Sequence, residues 1–362
     1  MDKIFRDALK GLEACYHGGS IDKVRLDFST SLNPLGPPPS IAETVRSLSI
    51  SDLSLYPESD SRSVCYSIAN SQKLAPDEVL LGNGASELLF MIPLIAIEKG
   101  DIALIPSPTY GEYSRAVLMM GGNISYYPLL REDDFRLQID SFTETIDEIM
   151  PKLVFLCNPN NPTGEYLDRS AVLDILEACR KRDTILVIDE AYVDLSPKKW
   201  YSDDLIQNGN LIIVRSLTKS FSCAGIRIGY LVSDKKIISA LKAVKIPWNV
   251  TILGQKVALA LIDELEYLKK GVELVEREKA YLLHALGKLP VYAIQSDANF
   301  ILVDLKGRSA ASINEKLLER GIYLRDCASF HLPDFVRIGI RKHEDNVELV
   351  EALTEILGVE EV

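Results

Sequence analysis

The 362-residue sequence lacks the features of a membrane-spanning, metal-binding or disulfide-linked protein. Its longest apolar run, residues 88–97, is shorter than the roughly 18 residues needed to span a bilayer. The six cysteines contain no CxxC pair and the four histidines show no ligand spacing, so neither a disulfide framework nor a metal site is predicted. The N-terminus is charged and has no signal-peptide core, and we therefore expect a reduced, cytoplasmic protein.

Positive charge is also scarce. The 40 lysines and arginines are outnumbered by 52 acidic residues, which gives a net charge of −12. Nucleic acids and anionic membranes are bound through a local surplus of basic residues, so neither is expected as a partner. With 47% apolar and 25% charged residues the composition is that of an ordinary globular protein, and the length predicts two domains.

Between about residues 79 and 233, seven short apolar runs alternate with segments of helix length. This alternation predicts an α/β domain in which helices flank a mostly parallel sheet. After residue 249, a long amphipathic pattern is followed by separate strand-like runs, which predicts a smaller α+β domain. We therefore expect an N-terminal arm over 1–40 that joins the small domain, a large domain over 41–248 and a small domain over 249–362.

Candidate functional groups follow the predicted strands, at the edge where open α/β sheets bind ligands. The segment LLGNGASELLF places Gly82 and Gly84 in a turn that opens a helix at Ala85 and Ser86, and such a helix start can bind phosphate. Taken alone, the loop is ambiguous, because most glycine-rich turns of this kind are only turns. It lacks the third glycine of a dinucleotide fingerprint and the Gly-Lys-Ser/Thr ending of a P-loop.

Four more segments carry candidate groups, each with an ordinary structural alternative. CNPNNPTG at 157–164 has two asparagines, and a turn needs only one of them, so the other can point into a cleft. Asp189 ends a buried strand in VIDEAY and is either a helix N-cap or a functional carboxylate. Tyr110 in SPTYGEY either packs or stacks on a flat ligand. Lys219 in RSLTKS lies among hydroxyls, where the alternative is a solvated surface lysine.

One cofactor would use all of these groups. Pyridoxal 5'-phosphate combines a flat ring, a phosphate, a phenolic oxygen, a pyridine nitrogen that must stay protonated and an aldehyde that reacts with an amine. Lys219 would supply the amine, because a desolvated lysine near another cation loses its proton readily. Asp189 would pair with the pyridine nitrogen and keep it cationic.

At these motifs the chain resembles the fold-type I aminotransferase superfamily, and the resemblance covers nearly the whole sequence. It implies the PLP-transferase fold type I, with a seven-stranded sheet in the large domain. It also implies that Lys219, Asp189 and the ring-stacking Tyr110 are catalytic. The other cofactor-binding residues that it implies are Gly84, Ala85, Ser86, Asn161, Tyr192, Ser216, Thr218, Arg227 and, from the neighbouring subunit of a homodimer, Tyr56.

Two families within this superfamily share the cofactor motifs. HGGS at 17–20, STSLNPLGPPP at 29–39 and LRDCASF at 324–330 resemble the L-threonine-O-3-phosphate decarboxylases, which act in cobalamin biosynthesis. Decarboxylation of L-threonine phosphate is therefore the first expectation. The alternative is a histidinol-phosphate aminotransferase of histidine biosynthesis, with 2-oxoglutarate as the amino acceptor. The substrate-binding residues implied are His17, Gly18, Asn33, Asn161, Arg325 and Arg337.

Several questions stay open at this level. Leu32 replaces the more usual isoleucine and Ser20 replaces asparagine, so phosphothreonine and phosphoserine are not distinguished. The reaction type depends on which bond is held perpendicular to the cofactor ring, a torsion that sequence does not determine. Some chains of this fold are regulators with an N-terminal DNA-binding domain. For such a domain the sheet begins too early here and the charge is too negative.

Overall fold

The computed structural model describes residues 6–10, 12 and 24–358, and the predicted substrate residues His17 and Gly18 lie outside that part of the chain. The strands are β1 (Leu26–Asp27), β2 (Val79–Gly82), β3 (Ile102–Ser107), β4 (Asn123–Pro128), β5 (Leu153–Cys157), β6 (Ile185–Asp189), β7 (Leu211–Ser216), β8 (Gly229–Ser233), β9 (Tyr292–Ala293), β10 (Phe300–Asp304), β11 (Ile322–Tyr323), β12 (Arg325–Asp326) and β13 (Phe335–Gly339).

The helices connect and cover these strands. They are α1 (Pro39–Ser47), α2 (Ile50–Ser54), α3 (Arg62–Gln72), α4 (Gly84–Ala96), α5 (Glu112–Met120), α6 (Ile139–Ile149), α7 (Arg169–Lys181), α8 (Leu217–Ser220), α9 (Lys235–Val244), α10 (Ile252–Leu261), α11 (Leu265–Leu286), α12 (Ala310–Leu318) and α13 (His343–Leu357). Across the described ranges, none of the helices is both long enough and apolar enough to cross a membrane.

The central sheet has seven strands in the order β2-β8-β7-β6-β5-β3-β4. Strand β8 runs antiparallel to both of its neighbours, and the other pairs are parallel. Alternate residues of β6 belong to opposite cores, with Leu186 and Ile188 in one cluster and Val187 in another, because successive side chains of a strand point to opposite faces. Both faces are therefore covered, and the predicted α/β fold with a mostly parallel seven-stranded sheet is confirmed.

Parallel pairing brings the carboxyl ends of three neighbouring strands together. Cys157 of β5 pairs with Asp189 of β6, and Asp189 pairs with Val214 of β7. The chain leaves β7 two residues later and forms the short helix α8, which carries Lys219. Groups that lie 30 residues or more apart in the sequence thus meet at one edge of the sheet.

A second core surrounds the smaller sheets. Strands β12, β13, β10 and β9 form an antiparallel sheet, and β1 pairs in parallel with β11. The division into domains stays a prediction, but the packing differs from a boundary at residue 249. Helix α10 contributes Val257 and Leu261 to the core of the large sheet, and the change of core falls within α11, where Val275 and Leu282 join the second core.

A buried network of ion pairs lies next to the carboxyl ends of β6 and β7. Arg215 of β7 donates from Nε to Glu190 at 2.8 Å and from Nη2 to the Ser202 hydroxyl at 3.1 Å, and its Nη1 lies 2.8 Å from an Asp203 carboxylate oxygen. The side chains of these three charged residues are 8% exposed or less. The network joins the residue after Asp189 to the residue before Ser216.

Arg215→Ala should lower the free energy of unfolding by about 3–5 kcal/mol, because it leaves two buried carboxylates without their cation. The measurement is the urea unfolding curve of each variant. Arg182→Ala is the control, since Arg182 and Asp147 form a pair with 40% and 47% exposed side chains, and exposed pairs contribute about 1 kcal/mol or less. Equal effects of the two substitutions would contradict a stabilising role for the buried network.

Candidate active site

One cavity of about 120 Å³ lies at the carboxyl ends of β5, β6 and β7. Four of the residues that line it, Leu89, Tyr113, Cys157 and Ala191, were not predicted from the sequence. The predicted residues that line it are Ala85, Ser86, Tyr110, Asn161, Asp189, Tyr192, Ser216, Thr218, Lys219 and Arg227. The structure therefore brings these groups together, and their individual roles stay predictions.

The start of α4 forms a cradle suited to an anion. The side chain of its N-cap residue, Asn83, makes no capping bond, so the first backbone N–H groups of the helix are not capped by it. Gly84 has φ +77°, and a Cβ atom at this position would lie 2.5 Å from Arg227 Nη2. A Cβ atom on Gly229 would lie 2.6 Å from the backbone nitrogen of Ala85. Gly84 thus leaves room for the Arg227 guanidinium group, and Gly229 lets β8 pack closely against the start of α4.

Hydroxyl groups complete this cradle. The Ser216 and Thr218 hydroxyls, at the junction of β7 and α8, lie 2.6 Å apart. The Ser86 side chain and the phenol of Tyr110 line the same cavity. Because phosphate is bound by helix N-termini, guanidinium groups and hydroxyls, the cradle fits the predicted phosphate end of the cofactor.

Lys219 is held by its backbone and its charged form is disfavoured. Its carbonyl accepts a hydrogen bond from the Asn33 backbone nitrogen at 3.0 Å, and its Nζ atom lies 6.0 Å from the centre of the Tyr192 ring. Burial lowers the pKa of Lys219 to about 8, with further lowering by Arg337 and Arg227 and an opposing effect of Asp189. A lysine with such a pKa is partly a free amine near neutral pH and can act as a nucleophile.

Asp189 is a buried carboxylate with two hydrogen-bond donors. It is 5% exposed, its Oδ2 accepts from the Tyr113 hydroxyl at 2.7 Å, and its Oδ1 accepts from the Ala191 backbone at 3.0 Å. Burial raises its pKa to about 6, although the hydrogen bond from Tyr113 acts in the opposite direction. The next helical turn, Val193–Leu195, has Tyr192 as its N-cap residue, so Asp189 is not a helix cap.

The two asparagines of the CNPNNPTG segment have different contacts in the structure. Asn160 builds the turn, because its Oδ1 accepts from Thr109 at 2.7 Å and its Nδ2 donates to Thr163 at 3.0 Å. Asn161 instead lines the cavity, where its Oδ1 accepts a hydrogen bond from Arg337 Nη1. Asn161 is therefore available to a ligand in the cavity.

Of the described residues predicted to bind substrate, Asn161 lines the cavity, and Asn33, Arg325 and Arg337 do not. Arg325 of β12 and Arg337 of β13 are directly opposite each other in the antiparallel pair, and both are buried. Arg337 Nη2 donates to the Ser29 carbonyl at 2.7 Å, and Arg325 Nη2 donates to the Ser329 hydroxyl at 2.7 Å. Asn33 donates from Nδ2 to the Ser220 carbonyl at 2.9 Å, next to Lys219.

Tyr56 lies away from the cavity of its own chain. Its side chain is 81% exposed and its ring packs on Trp248, with 4.8 Å between ring centres. The prediction that it serves the site of a neighbouring subunit stays a prediction.

Comparison with known proteins assigns the family. The family model described as aminotransferase class I and II matches residues 23–353. The chain belongs to the class I and II aminotransferase family. It is 33% identical to a histidinol-phosphate aminotransferase from Thermoanaerobacter sp. (strain X514), over 99% of both chains. It is also 34% identical, over 93% of this chain and 92% of the relative, to a provisionally named threonine-phosphate decarboxylase from Caldanaerobacter subterraneus subsp. tengcongensis.

A solved structure of the family shows the same fold with its cofactor. The histidinol-phosphate aminotransferase from Sinorhizobium meliloti, in complex with pyridoxal 5'-phosphate, superposes with a TM-score of 0.88 at 23% identity and covers 98% of each chain. As a member of the class I and II aminotransferase family, the chain is a pyridoxal 5'-phosphate enzyme of the aminotransferase or decarboxylase type. The cradle at Gly84, the buried carboxylate of Asp189 and the amine of Lys219 fit this cofactor.

Tyr113 is the most informative residue that the sequence analysis missed. It lies three residues after Tyr110 in SPTYGEY, and residues with this spacing share one side of a helix. Tyr110 lies before α5, which begins at Glu112, so helical spacing does not by itself place the two rings together. The sequence alone therefore gives only a weak signal for Tyr113.

Lys219→Ala should remove the visible absorbance of the covalent bond between lysine and cofactor, because no other amine lines the cavity in the described part of the chain. Lys279→Met is the control, since Lys279 is 7% exposed, donates to the Ala298 carbonyl at 3.0 Å and also has a pKa lowered by burial to about 8. Absorbance spectra of both purified variants test this. Absorbance that survives in Lys219→Ala would reject the assignment.

Covalent capture of pyridoxal 5'-phosphate by the apoprotein should become faster as the pH rises and level off above the pKa of Lys219, which is about 8. The amine reacts only when it is deprotonated, so below that pH the rate should change about tenfold per pH unit. Stopped-flow absorbance between pH 6 and 10 measures it. A rate that keeps rising to pH 10 would mean that Lys219 has the pKa of an ordinary lysine.

Proposed function

We propose that the chain decarboxylates L-threonine O-3-phosphate to (R)-1-aminopropan-2-ol phosphate in cobalamin biosynthesis. The observation that supports this most directly is the pair of buried arginines, Arg325 and Arg337, in register on β12 and β13. Two neighbouring guanidinium groups suit an anionic ligand, because guanidinium binds carboxylate and phosphate groups with parallel N–H donors. Threonine phosphate brings a carboxylate and a phosphate together in one small molecule, whereas histidinol phosphate has no carboxylate.

In this proposal each residue has a defined task. Arg337 binds the α-carboxylate with two parallel N–H donors, a geometry that guanidinium supplies and ammonium does not. Asn33 and Arg325 orient the rest of the substrate, and His17 with Gly18, outside the described residues, would contact its phosphate. When bound, pyridoxal 5'-phosphate supplies the electron sink that stabilises negative charge at the substrate α-carbon. Lys219 Nζ then holds the proton that the α-carbon receives after the carboxylate leaves.

We further propose that the enzyme works as a homodimer. The segment that carries Tyr56 exposes an apolar surface, since the exposed fraction is 83% for Ile50, 65% for Leu53 and 71% for Leu55. Ile246 and Trp248 extend this surface, with 69% and 48% exposed. Contiguous exposed apolar groups of this kind are typical of protein interfaces. A second copy of the chain would cover them and bring Tyr56 to the cofactor phosphate of its partner.

Histidinol-phosphate aminotransferase is the second candidate. It is favoured by the similarity to the relative from Thermoanaerobacter sp. (strain X514) over 99% of both chains. In that reaction Arg337 would bind a carboxylate of 2-oxoglutarate, and Lys219 would remove the α-hydrogen of the substrate. Both candidates use the same cofactor cavity, so the distinction depends on which substrate bond the neighbouring residues align.

The deciding experiment gives the holoenzyme L-threonine phosphate without any 2-oxo acid and identifies products by mass spectrometry. Aminopropanol phosphate and carbon dioxide formed in equal amounts over many turnovers are expected. L-serine phosphate in a parallel reaction tests the preference for the methyl group, and the Lys219→Ala variant is the blank. If no product forms, while histidinol phosphate with 2-oxoglutarate yields glutamate, the chain is the aminotransferase and the proposal is wrong.

A further inference from the structure

The Tyr113 hydroxyl makes a buried contact with the carboxylate that the cofactor needs. Tyr113 is 0% exposed, and its hydroxyl donates to Asp189 Oδ2 at 2.7 Å. The ring cannot easily move away, because it stacks on Phe155 with 5.1 Å between ring centres and 12° between planes. Tyr110 meets it edge-on at 5.4 Å. The donor is therefore held in place by packing on two sides.

The two donors on Asp189 leave room for a third. A carboxylate has about four acceptor positions, and Tyr113 and the Ala191 backbone each occupy one, on different oxygens. These bonds determine the plane of the carboxylate and leave the remaining positions to the pyridine N–H. Water is a poor substitute for either donor, because Asp189 is only 5% exposed.

The other groups around Asp189 do little to stabilise its charge. Glu190 is negative and is bound to Arg215 at 2.8 Å, and the Cys157 thiol donates to the Pro159 carbonyl at 3.2 Å. Lys219 is positive only while it is protonated, and it must be neutral to react with the cofactor. The titratable groups that face Asp189 are Tyr110 and Tyr113 from the side of α5, Cys157 from β5, Glu190 and Tyr192 from the loop after β6, and Lys219 from α8.

We propose that Tyr113 is a positioning residue that holds Asp189 ionised and aligned, so that the proton of the pair stays on the pyridine nitrogen. Burial raises the pKa of Asp189, and the bond from Tyr113 is first among the contacts that oppose this rise. Without the hydroxyl the carboxylate becomes more basic and takes the proton back from the ring. An unprotonated ring is a weaker electron sink. The inference rests on the part of the proposed function that pairs Asp189 with the cofactor, and it does not depend on the substrate.

The test uses holoenzyme loaded with pyridoxal 5'-phosphate that carries nitrogen-15 in the ring. The nitrogen chemical shift, recorded without substrate between pH 6 and 8, reports whether the ring nitrogen is protonated. Tyr113→Phe keeps the ring packing and removes only the hydroxyl. We expect its nitrogen signal to move toward the unprotonated position. We also expect kcat to fall by about 10- to 100-fold, the size of effect typical for a lost hydrogen bond to a charged group, and KM to change far less.

Two further variants make the outcome specific. Tyr166→Phe removes another largely buried hydroxyl, one that accepts a hydrogen bond from the Trp200 backbone at 3.2 Å, and it should leave the nitrogen signal unchanged. Asp189→Asn should move the signal further than Tyr113→Phe does. If Tyr113→Phe does not fold, Tyr113→3-fluorotyrosine keeps the ring and makes the hydroxyl a stronger donor, which should move the signal in the opposite direction.

The results separate the inference from the proposed function. A shift in Asp189→Asn with no shift in Tyr113→Phe would overturn the role of Tyr113 and leave the cofactor site as proposed. An unchanged signal in Asp189→Asn would remove Asp189 from the pyridine nitrogen and would overturn both. An equal shift in Tyr166→Phe would show a general effect of lost hydroxyls and would also overturn the inference.

Discussion

A carboxylate buried at the end of a parallel strand is the constraint that shapes this active site. Removing Asp189 from water disfavours its charge, and an unpaired buried charge costs several kcal/mol. In the structure, two neutral hydrogen-bond donors, the Tyr113 hydroxyl and the Ala191 backbone, stabilise the charge of Asp189. Among the described residues, no arginine or lysine forms an ion pair with it. A carboxylate satisfied only by neutral donors keeps its negative charge available to a cationic ring. A permanent ion pair with an arginine or lysine would have neutralised that charge.

The charged residues in the layer next to the cavity, in contrast, form ion pairs. Arg215 is paired with Glu190 and Asp203, and Lys199 donates to Asp194 Oδ1 at 2.6 Å. The two cations offset two of the three negative charges in the layer next to the cavity. This layer also positions Lys219, since Ser220, the residue after Lys219, donates to the other oxygen of Asp194 at 2.7 Å. Lys219 is thus anchored through its neighbour, and within the described part of the chain its own amine makes no hydrogen bond.

Much of this site could be predicted from sequence, because its residues follow strands whose order along the sheet brings their ends together. Asp189, Asn161 and Lys219 each come just after an apolar run, and parallel pairing requires that such positions meet. Tyr113 could not be predicted in the same way, because its contact with Asp189 depends on how α5 is oriented relative to β6. The packing of α10 could not be predicted for a similar reason. An amphipathic pattern shows that α10 buries one face, but not which of two cores receives it.

The division between cofactor and substrate residues explains why the reaction was harder to predict than the cofactor. The cofactor groups belong to one sheet, and their spacing follows from its regular geometry. The arginine pair belongs to another sheet with its own core, and it reaches the cavity through single contacts such as that between Arg337 and Asn161. The position of these arginines relative to the cavity therefore depends on how the two cores pack against each other. In the proposed function the choice of reaction depends on that packing, and sequence motifs say little about it.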